Sequence, residues 1–202
     1  MHVNKVEIHP YLAGLLFGDG TLQKRKNKAF AVWIDQVRRN EDIVRKAKVL
    51  LENQGLKVHF YGYGNKTRAL VYSKELFLLF QRIRKEPLKF FKELSKEAKK
   101  EFIGGLLDAD GTVTDRVVIY NREKKLLEAM RETLKELGIN ARVYKFGKIY
   151  GLQVHRKRDL NLLKRTIRSL KLGTCLPSVK KHRRLQVLKD EYSRRRLPSA
   201  GT

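Results

Sequence analysis

Two aspartates in equivalent places of a repeated sequence are the residues best suited to chemistry in this chain. Residues 12–20 read LAGLLFGDG and residues 103–111 read IGGLLDADG, so Asp19 and Asp110 lie 91 residues apart in a chain of 202. Each run is apolar, contains glycine, and ends abruptly at an acid followed by glycine. An internal duplication in which each copy ends in one carboxylate predicts a two-fold site that shares a pair of acids.

The small residues of the two runs predict how these acids come together. Gly14 and Gly18 are four residues apart, as are Gly105 and Ala109, and residues at this spacing share one face of a helix. Helices that lack bulk on one face can approach backbone to backbone, as small-residue pairs do in membranes. If the two runs pack in this way, their carboxyl-terminal ends meet and the two aspartates lie side by side.

Electrostatics indicates that such a pair of acids does not serve stability. A carboxylate at a helix C-terminus opposes the helix dipole, which costs up to about 1 kcal/mol, and two close carboxylates also repel each other. A hard divalent cation such as Mg²⁺ removes both penalties, and it can stabilise the attacking and leaving oxygens when a phosphodiester is cleaved. A single Asp-Gly pair would more simply start a turn, but two copies in register favour a functional site.

The charge of the chain indicates the partner of these acids. Lys and Arg number 46 against 21 Asp and Glu, which gives a net charge of +25, and only a polyanion makes such an imbalance useful. Nucleic acid is the first candidate partner. An anionic membrane surface is the second, but the sequence has no apolar run near 18 residues. With Cys175 as the single cysteine and no signal peptide, we expect no disulfide, no CxxC zinc pair, and an intracellular, cytoplasmic protein.

Hydrophobic periodicity predicts the same order of elements in both halves: helix, hairpin, helix, hairpin, helix. Asn40 and Ser73 are predicted to cap the second and third helices. The predicted elements of the first half are helices 10–19 and 41–54, a third helix that follows Ser73 and runs through Phe77, Phe80 and Ile83, and strands 20–25, 29–36, 57–63 and 67–72. Those of the second half are helices 96–109, 122–137 and 158–170 with strands 116–120, 141–146 and 149–155. We therefore predict an α+β fold with repeats at 1–86 and 96–176, a packed linker at 87–95, and a basic tail at 177–202.

Alternation along the strands predicts one face packed on the helices and one free face suited to a groove of DNA. Basic, amide and aromatic residues share the free face, and arginine suits guanine while glutamine or asparagine suits adenine. The candidate DNA-binding residues are Gln23, Arg25, Asn27, Trp33, His59, Tyr61, Tyr63, Arg116, Arg142, Tyr144 and Gln153. Cross-strand stacking is the alternative role for the aromatic residues, and a shift of one residue in register would invert every assignment.

The two runs resemble the LAGLIDADG motif, and the chain resembles a single-chain, two-motif LAGLIDADG homing endonuclease, closest in size to the archaeal intron-encoded members. The resemblance implies two pseudo-symmetric αββαββα repeats that form a saddle on double-stranded DNA around a central helix pair. It implies a monomer that cleaves both strands of a long, asymmetric target and leaves short 3′ overhangs. It implies Mg²⁺ or Mn²⁺ as the cofactor, with Ca²⁺ binding but not supporting cleavage.

The resemblance also assigns residues to the site. Asp19 and Asp110 match the metal-binding acids, and the carbonyls of Gly18 and Ala109 match the metal-binding carbonyls. Gln36 matches an amide that orders water, and Asn121 is its counterpart, although Asn121 also stands where a helix N-cap belongs. Lys180 matches a lysine that completes the pocket, with Lys181 beside it as an alternative, and Lys96 or Lys92 is the equivalent in the first half.

The chain departs from the motif at Phe17, which is aligned with Asp108, and at Gly104, but neither place holds metal in the family. We interpret Asp108 as a solvated helix residue. The first hairpin of the second half is shorter than its partner, so the two halves should grip unlike lengths of DNA. Three other functions remain open, namely an intron RNA maturase with RNA as partner, a non-catalytic DNA-binding regulator, and a basic nucleoid protein.

Overall fold

Two copies of one helix–hairpin–helix–hairpin–helix unit make up the protein, whose computed structural model describes residues 8–24 and 29–174. The predicted α+β class and the predicted order of elements are confirmed. The first copy consists of α1 Pro10–Asp19, β1 Gly20–Lys24, β2 Phe30–Val37, α2 Glu41–Glu52, β3 Val58–Tyr63, β4 Lys66–Tyr72 and α3 Lys74–Lys85. Ser73 caps α3, since its hydroxyl accepts a hydrogen bond from the Leu76 N–H. Asn40 precedes α2 but makes no capping bond with its side chain.

The second copy follows a short connecting helix, α4 Pro87–Glu93, which packs Phe91 into the core. Its elements are α5 Lys96–Asp110, β5 Gly111–Val113, β6 Val117–Asn121, α6 Lys124–Glu136, β7 Arg142–Phe146, β8 Ile149–Val154, α7 Lys157–Thr166 and α8 Leu170–Thr174. One prediction was wrong, because the expected helix over 158–170 stops at Thr166. The backbone turns extended at Ile167, with φ −103° and ψ 121°, before α8 begins.

Each copy contributes one four-stranded antiparallel sheet, in the orders β1-β2-β4-β3 and β5-β6-β8-β7. In β2 the side chains of Val32 and Ile34 are buried against the helices. Trp33 and Asp35 alternate with them and point to the other side, which we call the outer face of each sheet. The first hairpin of the second copy is shorter than that of the first, as predicted.

Amphipathic helices cover the inner faces of both sheets. The buried residues of α3 are Leu76, Phe77, Phe80 and Ile83, and their spacing is that of one helical face. The α2 helix buries Ile43, Val44, Ala47 and Leu51 in the same way. Within residues 8–24 and 29–174, no helix has both the length and the apolarity needed to cross a membrane.

The two motif helices, α1 and α5, pack backbone to backbone along the axis that relates the copies. A Cβ added at Gly14 would lie 2.1 Å from the carbonyl oxygen of Phe102, and one added at Gly105 would lie 1.9 Å from that of Tyr11. Because real Cβ atoms do not approach backbone this closely, glycine is required at both positions. The predicted glycine-mediated helix pair is therefore present, and it brings the ends of both helices together.

Candidate active site

Asp19 and Asp110 meet where the two motif helices end. Asp19 is the last residue of α1 and Asp110 the last residue of α5. A Cβ added at Gly18 would lie 2.4 Å from the Ala109 methyl carbon and 2.9 Å from Oδ2 of Asp110. The space across this part of the interface therefore admits one methyl group and not two. The backbone of the first motif reaches the carboxylate of the second because Gly18 has no side chain.

Burial makes both carboxylates reluctant to ionise, and repulsion from Asp110 adds to this effect at Asp19. Burial, followed by repulsion from Asp110, raises the pKa of Asp19 to about 6, although the Lys171 ammonium opposes this shift. Burial also raises the pKa of Asp110, again against the attraction of Lys171. Because burial is the largest cause of both shifts, two ionised carboxylates are unfavourable here without a compensating positive charge. A site of this kind favours an added cation.

Gln36 and Asn121, the two candidate amides, have different surroundings. The Nε2 of Gln36 donates a short hydrogen bond to Oδ2 of Asp19, and its Oε1 accepts a 3.2 Å hydrogen bond from Nδ2 of Asn40. Asn40 thereby fixes which end of the amide faces the carboxylate. In the second copy, Oδ1 of Asn121 accepts a 2.9 Å hydrogen bond from the Glu123 N–H. This bond closes a turn before α6, whose N-cap position is Glu123, so Asn121 is not the helix N-cap. The catalytic assignment of Asn121 stays a prediction.

Lys171, which the sequence did not single out, places a positively charged side chain at the site. Its Nζ donates to the carbonyl oxygens of Ala109 at 3.0 Å and Gly111 at 2.9 Å, on either side of Asp110. Burial lowers the pKa of Lys171, while Asp108, Asp19 and Asp110 raise it. The repeat does not reveal this lysine, because it lies on α8, beyond the irregular end of α7.

Arg84 on α3 makes the corresponding contact in the first copy, since its Nη2 donates a short hydrogen bond to the carbonyl oxygen of Gly20. Burial lowers the pKa of this arginine. Of the two lysines proposed for this role, Lys96 is excluded because it begins α5, about 20 Å from the end that carries Asp110. Lys92 lies on α4. Lys180 and Lys181 lie outside the described residues.

Asp108 is not a solvated residue, and that interpretation was wrong. Its side chain is 0% exposed. It accepts hydrogen bonds from four donors, namely Tyr11 Oη at 2.7 Å, Ser169 Oγ at 2.5 Å, Leu170 N at 2.8 Å and Lys171 N at 2.9 Å. The error has a physical cause, because α5 is buried on every side near its end and offers no solvated face. Asp108 thereby holds the chain segment that presents Lys171.

The atoms that converge here fit a hard divalent cation. Besides the two carboxylates, the oxygen atoms nearby belong to backbone carbonyls such as that of Ala109. Mg²⁺ prefers such oxygen ligands and usually keeps several water molecules or phosphate oxygens in its coordination shell. Gly18 and Ala109 immediately precede the two acids, where their carbonyls were proposed as ligands. Within residues 8–24 and 29–174, no group of three or more His, Cys, Asp or Glu side chains could hold a metal ion. An ion held by the two carboxylates would therefore complete its shell with backbone carbonyls, water or phosphate oxygens.

Most of the proposed DNA-binding residues lie on the outer faces of the sheets. In the first sheet, strand pairing aligns Thr21 with Trp33, His59 with Leu70, and Tyr61 with Arg68, and this alternation also places Gln23 and Tyr63 outward. In the second sheet, Arg142 pairs with Gln153 and Tyr144 with Gly151. Their neighbours Val143 and Leu152 face the core. The predicted register is therefore present.

Three of the proposed DNA-binding residues differ in setting. Arg116 precedes β6 on the short loop of the second copy, where its guanidinium pairs with Asp115. Arg25 and Asn27 lie outside the described residues. The prediction omitted Arg68 and Asp35, which also occupy the outer face of the first sheet. Strict alternation would have included both.

Comparison with known proteins agrees with this geometry. Residues 97–168 match the LAGLIDADG-like domain family. The structure is similar to that of I-DmoI in complex with DNA and Mn, with a TM-score of 0.65 and 26% identity over 86% of this chain and 100% of that one. The chain has the LAGLIDADG fold, built from two repeats. It is also similar to an uncharacterized protein of Methanocaldococcus jannaschii, with 26% identity over 194 residues that cover 88% of this chain and 70% of the relative.

A more distant similarity shows the LAGLIDADG fold alone. The N-terminal LAGLIDADG domain of DUF199/WhiA matches with a TM-score of 0.57 and 16% identity, over 84% of this chain and 88% of that one.

Mesophilic variants of the homing endonuclease I-DmoI are more similar to this chain. They match with a TM-score of 0.63 and 25% identity over 79% of this chain and 94% of that one. The archaeal intron-encoded subgroup stays a prediction.

The raised pKa of Asp19 predicts how stability depends on pH without metal. A carboxyl whose pKa is about 6 when folded and 3.8 when unfolded holds its proton more tightly in the folded state. Its contribution to stability is therefore fully present below pH 4 and is lost as the pH rises towards 6 and beyond. In chelator, Asp19→Asn should melt at the wild-type temperature near pH 4 and at a higher temperature at pH 7. Equal melting temperatures of the wild type and Asp19→Asn at pH 7 would show that the ionised Asp19 carboxylate does not destabilise the fold, which would contradict its raised pKa.

Proposed function

We propose that the protein is a site-specific DNA endonuclease that cleaves both strands at the point where α1 and α5 end. The observation that carries this proposal is the convergence of Asp19 and Asp110 on the axis between the two copies. One carboxylate from each copy suits a duplex, whose two strands are related by a similar two-fold relation. The short 3′ overhangs, the intron-homing role and the monomeric state belong to this proposal.

The two carboxylates are proposed to hold a divalent cation together with the carbonyls of Gly18 and Ala109. When bound, Mg²⁺ or Mn²⁺ would activate water and stabilise the charge that develops on the phosphodiester oxygens. The raised pKa values of both acids support this assignment, because burial raises both, repulsion from Asp110 adds to the shift at Asp19, and a bound cation would favour the charged carboxylates. I-DmoI has been determined with Mn and with Ca. Ca²⁺ is expected to occupy our site without supporting cleavage.

The residues around the acids would position the reactants. Gln36, held by Asn40, keeps an amide beside Asp19 that can also orient a water molecule, and Asn121 is the weaker candidate for the second strand. The positively charged side chain of Arg84 lies beside the end of the first motif and that of Lys171 beside the end of the second. Each can offset the negative charge of a scissile phosphate. Lys180 remains a candidate for the same role.

The outer faces of the sheets would bind the DNA on either side of the cleavage point. The net charge of +25 supplies the salt-dependent attraction to phosphates that nucleic-acid binding needs. The two outer faces carry arginine, glutamine and aromatic side chains, the types that read base edges. Double-stranded DNA is the partner found with I-DmoI. Repeats at 1–86 and 96–176, joined by 87–95 and followed by a basic tail, are the proposed domain division.

Selection from random DNA tests this function without knowledge of the target. The full chain would be incubated with randomised duplexes in Ca²⁺, bound duplexes would be amplified over several rounds, and the enriched pool would then receive Mg²⁺. We expect one enriched, asymmetric sequence that is cut in both strands and leaves short 3′ overhangs. An enriched pool that stays intact in Mg²⁺ and Mn²⁺ would contradict the endonuclease. It would favour the second candidate, a non-catalytic nucleic-acid-binding protein or intron RNA maturase of the same fold.

A further inference from the structure

Arg68 occupies the centre of the outer face of the first sheet. It lies on β4 between two partners in register, Asp35 on β2 and Tyr61 on β3. All three side chains therefore project from the same side of the sheet, opposite the helices. Repulsion from Asp35 is among the causes that raise the pKa of Asp19. Asp35 also directly precedes Gln36, so this row of side chains lies at the end of the sheet nearest the paired acids.

The guanidinium of Arg68 is fixed by contacts on its edge and on its face. Its Nε donates to Oδ1 of Asp35 at 2.6 Å, and its Nη2 donates to Oδ2 at 2.7 Å. The hydroxyl of Tyr63 accepts from Nη2 at 3.0 Å and donates to Oδ2 of Asp35 at 2.8 Å. The Cζ carbon lies 4.8 Å from the ring centres of Trp33 and of Tyr63. Its orientation is therefore set before any ligand binds.

Stability alone does not account for this arrangement. The pair is largely buried, since 21% of the Arg68 side chain and 20% of the Asp35 side chain stay exposed. Removing two charges from water costs energy that their attraction often does not repay, so such a pair is weak evidence for a stabilising role. An acid such as Asp35 on a surface that faces a polyanion is also unfavourable, unless it serves to orient a positively charged side chain. The arrangement has the form of a pre-oriented donor that lowers the entropic cost of binding.

We propose that Arg68 reads a guanine in the major groove, in the part of the target nearest the cleavage point, and that Asp35 holds it in position. Arginine donates two parallel hydrogen bonds to O6 and N7 of guanine, and no other base offers two acceptors there. Because Asp35 takes Nε and one hydrogen of Nη2, guanine would bind Nη1 and the second hydrogen of Nη2, displacing the Tyr63 hydroxyl from it. The inference rests on the proposed function, since it requires that this face bind a duplex. Trp33 and Tyr63 would then act as the walls that hold the guanidinium plane.

The test compares variants in selection from the random duplex pool, with catalysis blocked by Ca²⁺. The wild-type protein should enrich a guanine at one position near the centre of its target. Arg68→Gln and Arg68→Lys should each lose the preference at that position by about ten- to a hundredfold, while keeping the preferences elsewhere. Lysine retains the charge but cannot form the planar pair of bonds. Arg131→Gln is the matched control, since Arg131 pairs with Glu132 on the helix α6 and should leave every preference unchanged.

A second measurement does not depend on the folding of a variant. Replacing the enriched guanine by 7-deazaguanine removes the N7 acceptor, and wild-type affinity should fall by about tenfold. Base preferences that are unchanged in both Arg68 variants, or equal wild-type affinity for the guanine and 7-deazaguanine duplexes, would overturn the role of Arg68. Neither result would contradict the proposed endonuclease activity. A wild-type protein that enriches no sequence at all would overturn the proposed function and this inference together.

Discussion

Gly105→Ala is expected to prevent the native packing of the protein, at a cost of about 4 kcal/mol or more, the upper end for a single substitution. The new methyl group would lie 1.9 Å from the carbonyl oxygen of Tyr11 and 2.8 Å from the nitrogen of Leu15. Both atoms belong to the backbone of α1, so no side chain can rotate away to make room. The helices would have to separate along the whole interface, and the densely packed core does not yield easily.

Gly173→Ala provides a matched control for this loss. Gly173 lies on α8, and a Cβ added there would have nothing within 4 Å. Alanine should therefore be neutral or slightly stabilising, because glycine is the poorer helix former by up to about 1 kcal/mol. Chemical denaturation of both variants measures the difference. A Gly105→Ala protein that unfolds at the wild-type denaturant concentration would show that the two motif helices do not touch backbone to backbone.

Asp19→Asn and Asp110→Asn should each reduce double-strand cleavage by roughly a thousandfold or more. Several kcal/mol of transition-state stabilisation depend on a bound metal, and each 1.4 kcal/mol changes the rate about tenfold. Asparagine keeps the shape of each side chain but removes the charge that would hold the cation. Because the pKa of both carboxyls is raised by burial, loss of either charge should not weaken the fold at pH 7.

Single-turnover cleavage of the selected duplex in Mg²⁺, paired with binding in Ca²⁺, separates catalysis from recognition. Both variants should bind the duplex nearly as well as the wild type does. Asp42→Asn is the control, because Asp42 is an exposed acid in the first turn of α2, and it should cut at the wild-type rate. If either active-site variant cuts as fast as this control, the paired acids are not the catalytic residues.

Sequence patterns predicted the fold and the central pair of acids because both depend on local rules. The duplicated motif, the four-residue spacing of its small residues, and the alternation in β2 each constrain geometry directly. Gln36 came from the family resemblance, and the structure places its amide on Asp19. The linker residues 87–95 were expected to pack, and they do so mainly as the helix α4.

Lys171 and Asp108 could not be predicted by the same rules, because their contacts join segments far apart in the sequence. Asp108 receives a hydrogen bond from Tyr11, 97 residues away, and three more from the segment that begins α8. That segment exists only because the last helix breaks at Ile167, which helical periodicity did not reveal. One sign was present, since an acid two residues before the end of the apolar second half of α5 demands a partner when that half is buried.

A crystal structure of the full chain with its selected duplex and Mn²⁺ would test the shared acid pair most directly. Anomalous scattering locates the manganese independently of the protein atoms. We predict at least one peak at ligand distance, about 2.0–2.2 Å, from carboxylate oxygens of both Asp19 and Asp110 and next to a phosphate of the duplex. Manganese bound elsewhere, or carboxylates turned away from each other and from the DNA backbone, would contradict a catalytic centre built at the junction of the two helices.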